Sequence, residues 1–577
     1  MILTVLSLLL QITLLPNAGN WLTPYEKSFG KKTATYPECI RYYQQLDNAY
    51  DELKLVEYGA TDSGKPLHLA ILSLDKDYNP ASVRRKNKRV LLIQNGIHPG
   101  EPEGIDASMM LARDYLQKKE LRANLKNVVV LFIPIYNVDG SLNRNQYSRA
   151  NQNGPESYGF RGNARNLDLN RDYIKATSRN AQTFAVLFRE WQPDVFVDTH
   201  TSNGADYQHT MTLIATQKDK LQAPLRDYLT SQLLPQLYQQ MQKQKLPMCP
   251  YVDSKGETPD TGLIGFLETP RYSTGYTTLF NTIGFVTETH MLKPFPNRVQ
   301  AQYAFLDILI RLVQQDAAKI AAARQKADQE VLSQKQFALT WQLDTTALDS
   351  ITFLGYAAKH KPSQVSGLSR LYYDRQAPFL KKIPYYNTYR PALTTTKPVA
   401  YAVPQAWEEV IDRLRLNRVK MRALRHDTSF TAEVYYIADY KTSSRPYEGH
   451  YLHSGVQVRT EKQRVNYFAG DYIITTNQTA NRFLVETLEP QAVDSYFNWG
   501  FFDEILQPKE YFSSYVFEDI AAELLQKDLN LKKQLQEYIS QNPEAAKSAQ
   551  TQLDFIYRHS PYYEKSHLRY PISRIIN

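Results

Sequence analysis

The first half of the chain alternates short, continuously apolar runs with longer helical patterns. Four such runs lie at residues 89–93, 127–136, 195–197 and 283–287. They lack the polar–apolar alternation of a strand with one face in water, and such runs are typical of a sheet that is covered on both faces. The alternation therefore predicts an α/β domain, with a mostly parallel or mixed sheet and helices on both faces.

The second half of the chain has a different pattern. A long helical stretch at about 296–336 is followed by short runs rich in Thr, Tyr and Val, such as 432–440, which predict strands, and then by a polar helical tail. A chain of 577 residues is also too long for one ordinary core. We therefore predict an α/β domain at 20–325, followed at 326–577 by a β-rich α+β C-terminal domain with a helical tail and no assignable function.

The amino terminus has the pattern of a targeting segment. No charged side chain precedes Glu26, and residues 2–15 are mostly apolar. That run is too short for a comfortable membrane span and is typical of a signal-peptide core, with Ala18 and Gly19 offering small residues for cleavage. We predict a signal peptide at 1–19, a secreted or periplasmic location and no stable membrane span.

Composition excludes two further classes of protein. Cys39 and Cys249 are the only cysteines, so a disulfide framework cannot support a chain of this size, and spacing does not show whether the two pair. The net charge of +9 includes one dense basic cluster at 84–89. A nucleic-acid-binding protein would usually show a longer basic stripe or a recognisable module. We interpret the cluster as a solvated loop and expect no nucleic-acid partner.

Three polar residues near the ends of the apolar runs have the chemistry of a metal site. His98 and Glu101 lie three positions apart in a Gly- and Pro-rich segment after the first run, and His200 ends a later one. In an open α/β sheet, functional sites collect outside the carboxyl ends of strands, so these side chains are expected to meet. Imidazole and carboxylate ligands leave zinc Lewis-acidic. The pattern predicts one Zn²⁺ per chain on His98, Glu101 and His200.

These motifs resemble those of the zinc metallocarboxypeptidases of the carboxypeptidase A type, over roughly residues 22–325. That family combines an H-x-x-E motif and a distant histidine with a D-x-N-R motif, which here occupies residues 168–171. The resemblance implies that Asn170 and Arg171 bind the C-terminal carboxylate of a peptide, for which a planar guanidinium is well suited. It also implies that Asp168 holds a zinc-binding imidazole in one tautomer.

The same resemblance assigns two catalytic residues. Arg149 would polarise the scissile carbonyl, because a fixed cation near the metal stabilises the oxyanion that develops there. Glu288, which closes the fourth apolar run, would be the general base that takes a proton from water and delivers it to the leaving amine. Glu268 competes for this role, but no clean apolar strand precedes it.

The family also has a mobile tyrosine that caps the bound substrate. Tyr272 and Tyr276, in the segment 271–276, are the candidates. We predict that Tyr276 has this role, since the neighbouring Gly275 would permit loop motion.

Together these residues predict a zinc-dependent metallocarboxypeptidase that hydrolyses C-terminal residues from peptides or proteins. One alternative is a zinc-dependent amidase or endopeptidase acting on cell-wall peptides, because the resemblance extends to deacylases and cell-wall amidases with the same fold and site. Peptidoglycan stem peptides also end in a free carboxylate. A second alternative is a catalytically inactive peptide-binding protein of the same fold. The sequence does not indicate which side chain is preferred at the cleaved residue.

Overall fold

The computed structural model describes residues 21–576. The predicted signal peptide at 1–19 lies outside these residues. Within 21–576, no helix is both long enough and apolar enough to cross a membrane. Cys39 and Cys249 are both buried as free thiols, so they do not pair.

The first half of the described chain alternates strands and helices. Its strands are β1 (Leu53–Ala60), β2 (Pro66–Leu72), β3 (Arg89–Gln94), β4 (Val128–Ile133), β5 (Val195–Ser202), β6 (Met211–Ala215), β7 (Cys249–Pro250), β8 (Leu263–Ile264) and β9 (Ile283–His290). Its helices are α1 (Pro24–Lys27), α2 (Tyr36–Ala49), α3 (Pro80–Arg85), α4 (Glu103–Gln117), α5 (Lys119–Arg122), α6 (Val138–Leu142), α7 (Arg179–Trp191), α8 (Ala223–Tyr228), α9 (Leu234–Lys243), α10 (Ser273–Thr278), α11 (Phe295–Gln315) and α12 (Ala317–Ser333). A π-helical turn, Leu229–Leu233, joins α8 to α9.

Eight of these strands form one mixed sheet in the order β1-β2-β4-β3-β5-β9-β6-β7. The central strands are parallel, because β3 pairs in parallel with β4 and β5, and β5 pairs in parallel with β9. The outer pairs β1–β2, β2–β4 and β6–β9 are antiparallel. The predicted α/β fold with a mixed sheet is confirmed.

Helices cover both faces of this sheet. On β3, Leu91 and Ile93 belong to a hydrophobic cluster that includes side chains of α4 and α11. Val90 and Leu92 point to the opposite face and belong to a second cluster with side chains of α7. Successive residues of a strand point to opposite faces, so burial on both sides explains why the predicted runs are apolar throughout.

The long helical pattern after Pro296 consists of two helices. α11 and α12 meet at Asp316, whose φ of −101° and ψ of 18° depart from helical values. The predicted domain boundary between residues 325 and 326 falls inside α12. The domain limits remain a prediction.

The C-terminal region is rich in β-structure, as predicted. Its strands are β10 (Gln336–Leu343), β11 (Asp349–Pro362), β12 (Ser369–Tyr386), β13 (Tyr389–Thr396), β14 (Ala400–Val403), β15 (Arg422–Ala423), β16 (Thr428–Thr442), β17 (His453–Tyr467), β18 (Tyr472–Thr475) and β19 (Ser573–Ile575). Its helices are α13 (Glu408–Leu416), α14 (Asn481–Leu488), α15 (Ser514–Lys527), α16 (Leu529–Gln541) and α17 (Ala549–Arg558). One sheet has the order β15-β18-β14-β19-β16-β17, and the long β11–β12 hairpin pairs with β8 of the first half.

The C-terminal region packs directly against the first half of the chain. Phe280 stacks on Phe483 with ring centroids 5.4 Å apart, inside a hydrophobic cluster that draws residues from both halves. Arg482 donates hydrogen bonds to the carbonyl oxygens of Lys220 and Thr278, at 2.6 and 3.1 Å. A continuous core therefore joins the C-terminal region to the first half of the chain.

Candidate active site

The loop after β3 and the strand β5 bring the three predicted metal ligands together. His98, Glu101 and His200 are all buried, and each offers one ligand atom within 4.8 Å of the other two. Nδ1 of His98 lies 3.2 Å from Oε1 of Glu101, and Nδ1 of His200 lies 3.0 Å from Oε2. Both imidazoles therefore face the same carboxylate with the same ring nitrogen.

A tight turn aims His98 and Glu101 at one point. The amide of Glu101 donates to the carbonyl of His98 at 2.8 Å, which closes the turn. The turn leaves no space for a side chain at Gly100, because the side chain of Arg149 lies against that position. Across the site, the amide of Thr201 donates to Oε2 of Glu101 at 2.8 Å. A compact, hydrogen-bonded loop at the end of β3 therefore brings the side chains of His98 and Glu101 together.

Each imidazole has a second carboxylate at its other ring nitrogen. Nε2 of His98 lies 2.9 Å from Oδ1 of Asp168, and Nε2 of His200 lies 3.1 Å from Oδ2 of Asp198. Such partners fix the tautomer and the ring orientation of a metal-binding histidine. The sequence interpretation named Asp168 but missed Asp198. Its signal was the spacing Asp198-x-His200, which places both side chains on one face of β5.

These residues fit a zinc ion. Nδ1 of His98 is buried without a hydrogen-bond partner, although it faces the carboxylate of Glu101. Burial opposes the charge of Glu101, but Arg149 and His98 outweigh it and hold the pKa of this carboxyl well below its usual value. A deprotonated carboxylate between two correctly oriented imidazoles is the donor set of a hydrolytic zinc site.

Two arginines approach the metal ligands. Arg149 donates from Nη2 to Oε1 of Glu101, and its side chain is 13% exposed. Arg161 places Nη1 3.6 Å from the same oxygen and donates from Nε to Oδ2 of Asp168 at 3.0 Å, while its side chain remains 45% exposed. Burial opposes the charge of Arg161, but Asp168 and Glu101 hold its pKa above the usual value. The sequence interpretation missed Arg161, because only its closeness to the D-x-N-R motif marks it.

The D-x-N-R motif forms a short 3₁₀ turn, Leu169–Arg171, at the edge of the site. Oδ1 of Asp168 accepts the amide of Asn170 at 2.9 Å and so caps this turn. Oδ1 of Asn170 accepts the amide of Ser273 at 3.2 Å. Arg171 donates from Nη1 to the carbonyl of Asn170 at 2.8 Å. The turn therefore directs Asn170 and Arg171 toward the same cavity as the metal ligands.

Glu288 lies beside His200 on the neighbouring strand. The two are register partners in the parallel pair β5–β9, so their side chains leave the sheet on the same face. Burial raises the pKa of Glu288 to about 8, with His200 opposing and Glu101 adding to the effect. Glu268 also lines the cavity, and burial raises its pKa to about 7. Of the two carboxyls, only Glu288 is adjacent to a metal ligand in the sheet.

The prediction for Tyr276 is wrong. Its side chain is fully buried among aromatic rings that include Phe188 and Phe280, and its hydroxyl donates to Oδ1 of Asn417 at 2.5 Å. Its helix turns this side chain into the core, so it cannot cap a substrate. Tyr272, the other candidate, lines the cavity and lies against the guanidinium of Arg171, with 4.4 Å between ring centroid and Cζ.

These side chains surround one cavity of about 570 Å³. Its walls include seven of the residues that the sequence indicates: His98, Glu101, Arg149, Asn170, Arg171, His200 and Glu288. Asp168 lies behind His98 and outside the lining. The cavity thus combines a candidate metal-binding triad, arginine side chains and a carboxyl group that can accept a proton.

The chain was compared with solved structures. It is 15% identical to carboxypeptidase A from Helicoverpa armigera, with a TM-score of 0.37 and coverage of 51% of this chain and 75% of the other. It is 11% identical to the metallo-carboxypeptidase from Pseudomonas aeruginosa, also with a TM-score of 0.37, and here the coverage is 50% and 70%.

Sequence comparison matches part of the chain to a known family. The zinc carboxypeptidase model matches residues 39–233, a range that contains the three candidate metal ligands, Arg149 and the D-x-N-R motif. Carboxypeptidase 2 of Trichophyton tonsurans is 20% identical over 462 residues, which cover 76% of this chain and 78% of the relative. Carboxypeptidase 2 of Trichophyton rubrum is 20% identical over 442 residues, covering 73% and 76%. The amino-terminal half of the chain therefore contains a zinc carboxypeptidase domain.

Proposed function

We propose that this protein is a zinc metallocarboxypeptidase that removes C-terminal residues from peptides or proteins. The observation that carries the proposal is the shared cavity, in which the triad His98, Glu101 and His200 faces the same space as Asn170 and Arg171. An arginine fork and an amide are suited to a free carboxylate. A peptide that binds Arg171 through its C-terminus would bring its last peptide bond toward the triad.

The residues of the cavity divide the chemistry among them. A zinc ion bound by the triad would supply a Lewis acid that polarises the scissile carbonyl and acidifies water. Asp168 and Asp198 hold the imidazoles of His98 and His200 in orientation. Glu288 accepts a proton from the attacking water and donates it to the nitrogen of the leaving amine.

Arg149 and Arg161 stabilise the negative charge that develops on the carbonyl oxygen. Fixed cations aimed at a developing oxyanion lower the barrier, because they need no reorganisation during the reaction. Arg149 is the residue that the sequence indicates. We add Arg161 because its guanidinium lies beside both Glu101 and Asp168 and is the more exposed of the two.

A test of this function compares zinc-loaded wild type with Glu288→Gln on a mixed peptide library, in which each peptide is present with a free and with an amidated C-terminus. Loss of the general base is expected to lower kcat by about 10²- to 10⁴-fold with unchanged zinc content. The exposed Glu120 provides a matched control, Glu120→Gln. Mass spectrometry is expected to show single C-terminal residues released from the free acids only.

Other outcomes of this experiment contradict the proposal. Equal cleavage of the amidated peptides, or cleavage at internal bonds of peptidoglycan stem peptides, would indicate an amidase or endopeptidase instead. Binding without hydrolysis by the zinc-loaded wild type would indicate an inactive peptide-binding protein. Secretion and the domain limits 20–325 and 326–577 are part of the same proposal, and they rest on the sequence pattern.

A further inference from the structure

The arginine end of the cavity is in contact with a turn from the C-terminal region. The hydroxyl of Tyr447 accepts a hydrogen bond from Nε of Arg171 at 3.1 Å. Residues 21–576 supply no hydrogen bond to Nη2 of Arg171, a residue that lines the cavity. Tyr447 therefore holds the guanidinium through Nε, and the N–H groups of Nη2 have no acceptor within residues 21–576 and can donate to a ligand.

Tyr447 belongs to a tight turn between β16 and β17. The backbones of Tyr447 and His450 exchange hydrogen bonds of 2.7 and 3.1 Å, which close a two-residue connection. Its central residues, Glu448 and Gly449, have φ values of +50° and +82°. Two positive φ values are typical of the type I′ turn, whose twist matches that of the strands. The position of Tyr447 is therefore set by a defined turn.

Three further contacts attach this turn to the segment that carries the D-x-N-R motif. Oε2 of Glu448 accepts the backbone amide of Asp168 at 2.7 Å. Gly449 lies close to the side chain of Leu167, and Nε2 of His450 lies 3.1 Å from the hydroxyl of Thr177. The turn thus contacts residues on both sides of Arg171 as well as Arg171 itself.

A second group of side chains, from both halves of the chain, supports Tyr447. Its ring stacks on Trp499 with centroids 6.2 Å apart. The guanidinium of Arg271 lies 5.6 Å from the Tyr447 ring and 4.9 Å from that of Trp499. Arg271 is fixed in turn by the buried carboxylate of Asp494, with Nη2 2.6 Å from Oδ1. This support makes the Tyr447 hydroxyl a fixed acceptor.

We propose that the 447–450 turn completes the carboxylate subsite, with Tyr447 and Glu448 as positioning residues that act through Arg171 and Asp168. This inference rests on the proposed function, in which Arg171 binds the substrate carboxylate. A free arginine side chain loses rotamer freedom when it pairs with a ligand, and a guanidinium that is already oriented loses less. The C-terminal region therefore contributes to substrate affinity without touching the substrate.

The first test measures binding without turnover, in the Glu288→Gln protein loaded with zinc. Equilibrium dialysis against a mixed tetrapeptide pool, in free-acid and C-terminal amide forms, is read by mass spectrometry. Tyr447→Phe keeps the ring and removes the acceptor, so acid binding is expected to weaken about 3- to 10-fold while amide binding stays constant. Tyr451→Phe, an exposed tyrosine of the same loop, is the matched control and is expected to change neither.

A second pair of variants separates positioning from folding. Glu448→Gln keeps an oxygen that can accept the amide of Asp168, whereas Glu448→Ala removes it. We expect the alanine variant to show the weakened acid binding and the glutamine variant to restore most of it. In the active protein, Tyr447→Phe is expected to raise KM for free-acid peptides by about 3- to 10-fold and to change kcat less than twofold.

The outcomes distinguish this inference from the proposed function. If the Glu288→Gln protein with an intact turn binds acids no better than amides, carboxylate selection by Arg171 is wrong, and the proposed function fails together with the inference. If that protein prefers acids and Tyr447→Phe retains the preference as fully as Tyr451→Phe, the inference alone is overturned. A fall in kcat at constant KM would also overturn it.

Discussion

The two ends of the cavity are built in different ways. At the metal end, the candidate ligands come from one loop and one strand of a single sheet, and Glu288 follows on the adjacent strand. At the arginine end, Arg171 and Asp168 depend on Tyr447 and Glu448, which lie 276 and 280 positions later in the chain. The metal end is therefore a product of sheet topology, whereas the arginine end depends on how two regions pack.

The largest effect is expected from a variant that disrupts only the metal end of the cavity. His200→Ala removes one of three ligands, so bound zinc and hydrolysis are expected to fall below detection, and chelation of the wild type is expected to do the same. The preference for free-acid over amidated peptides is expected to persist, because Arg171 does not contact His200. Metal analysis and equilibrium dialysis check this, with the exposed His426→Ala as control. Hydrolysis that survives chelation would contradict the zinc site.

The second largest effect is expected from a variant that disrupts only the arginine end of the cavity. Arg171→Ala removes a charged, hydrogen-bonded partner of the substrate carboxylate, and such truncations cost about 2–5 kcal/mol. We therefore expect kcat/KM for free-acid peptides to fall by about 30- to 4000-fold, with zinc content unchanged. Arg171→Lys is expected to recover part of this loss, since it keeps the charge without the planar fork. Equal losses on acid and amide peptides would refute a role in carboxylate selection.

Asp168 lies between the two ends of the cavity, so its substitution tests whether the two ends are independent. Asp168 contacts His98 and Arg161. Burial alone would raise the pKa of Asp168, but these two partners outweigh it and hold that pKa far below its usual value. Asp168→Asn removes this charge from the partner of a candidate metal ligand and is expected to weaken zinc binding about 10- to 100-fold. A zinc titration with a competing chelator measures it, beside the exposed control Asp519→Asn. Unchanged zinc affinity would show that His98 does not need this partner.

The smallest effect is expected at Tyr276, which lies at neither end of the cavity. Tyr276→Phe removes the hydroxyl that donates to Asn417 across the contact between the two halves. Leaving the buried oxygen of Asn417 without its donor is expected to lower the free energy of unfolding by about 1–3 kcal/mol. Denaturant titration checks this, and KM is expected to remain at the wild-type value. A large rise in KM with normal stability would indicate instead that Tyr276 takes part in substrate binding.

Much of the first half could be predicted from sequence because its signals are local. Burial on both faces makes the central strands apolar throughout, and the carboxyl ends of parallel strands share one edge of the sheet. These two rules were enough to bring His98, Glu101 and His200 into one prediction. The roles of Asp168, Asn170 and Arg171 followed from the family resemblance, which a compact motif within four consecutive positions carries.

The residues that sequence reasoning missed have no such local signal. Arg161 lies in an irregular loop, and the direction of its side chain depends on Asp168 and Glu101. Tyr276 was assigned to the cavity because it follows a glycine, but Asn417 and the surrounding aromatic rings draw it into the core. In both cases the deciding partners are not neighbours in the sequence.

The sequence by itself determined the α/β sheet and predicted the candidate metal-binding triad, because periodicity and strand ends are properties of short segments. The role of the D-x-N-R motif came from the family resemblance. Only the tertiary structure decided which tyrosine faces the cavity, which second arginine approaches the ligands, and that a turn from the C-terminal region contacts Arg171. The physical reason is that these features depend on a core shared between distant segments. A side chain takes its direction there from whatever packs against it.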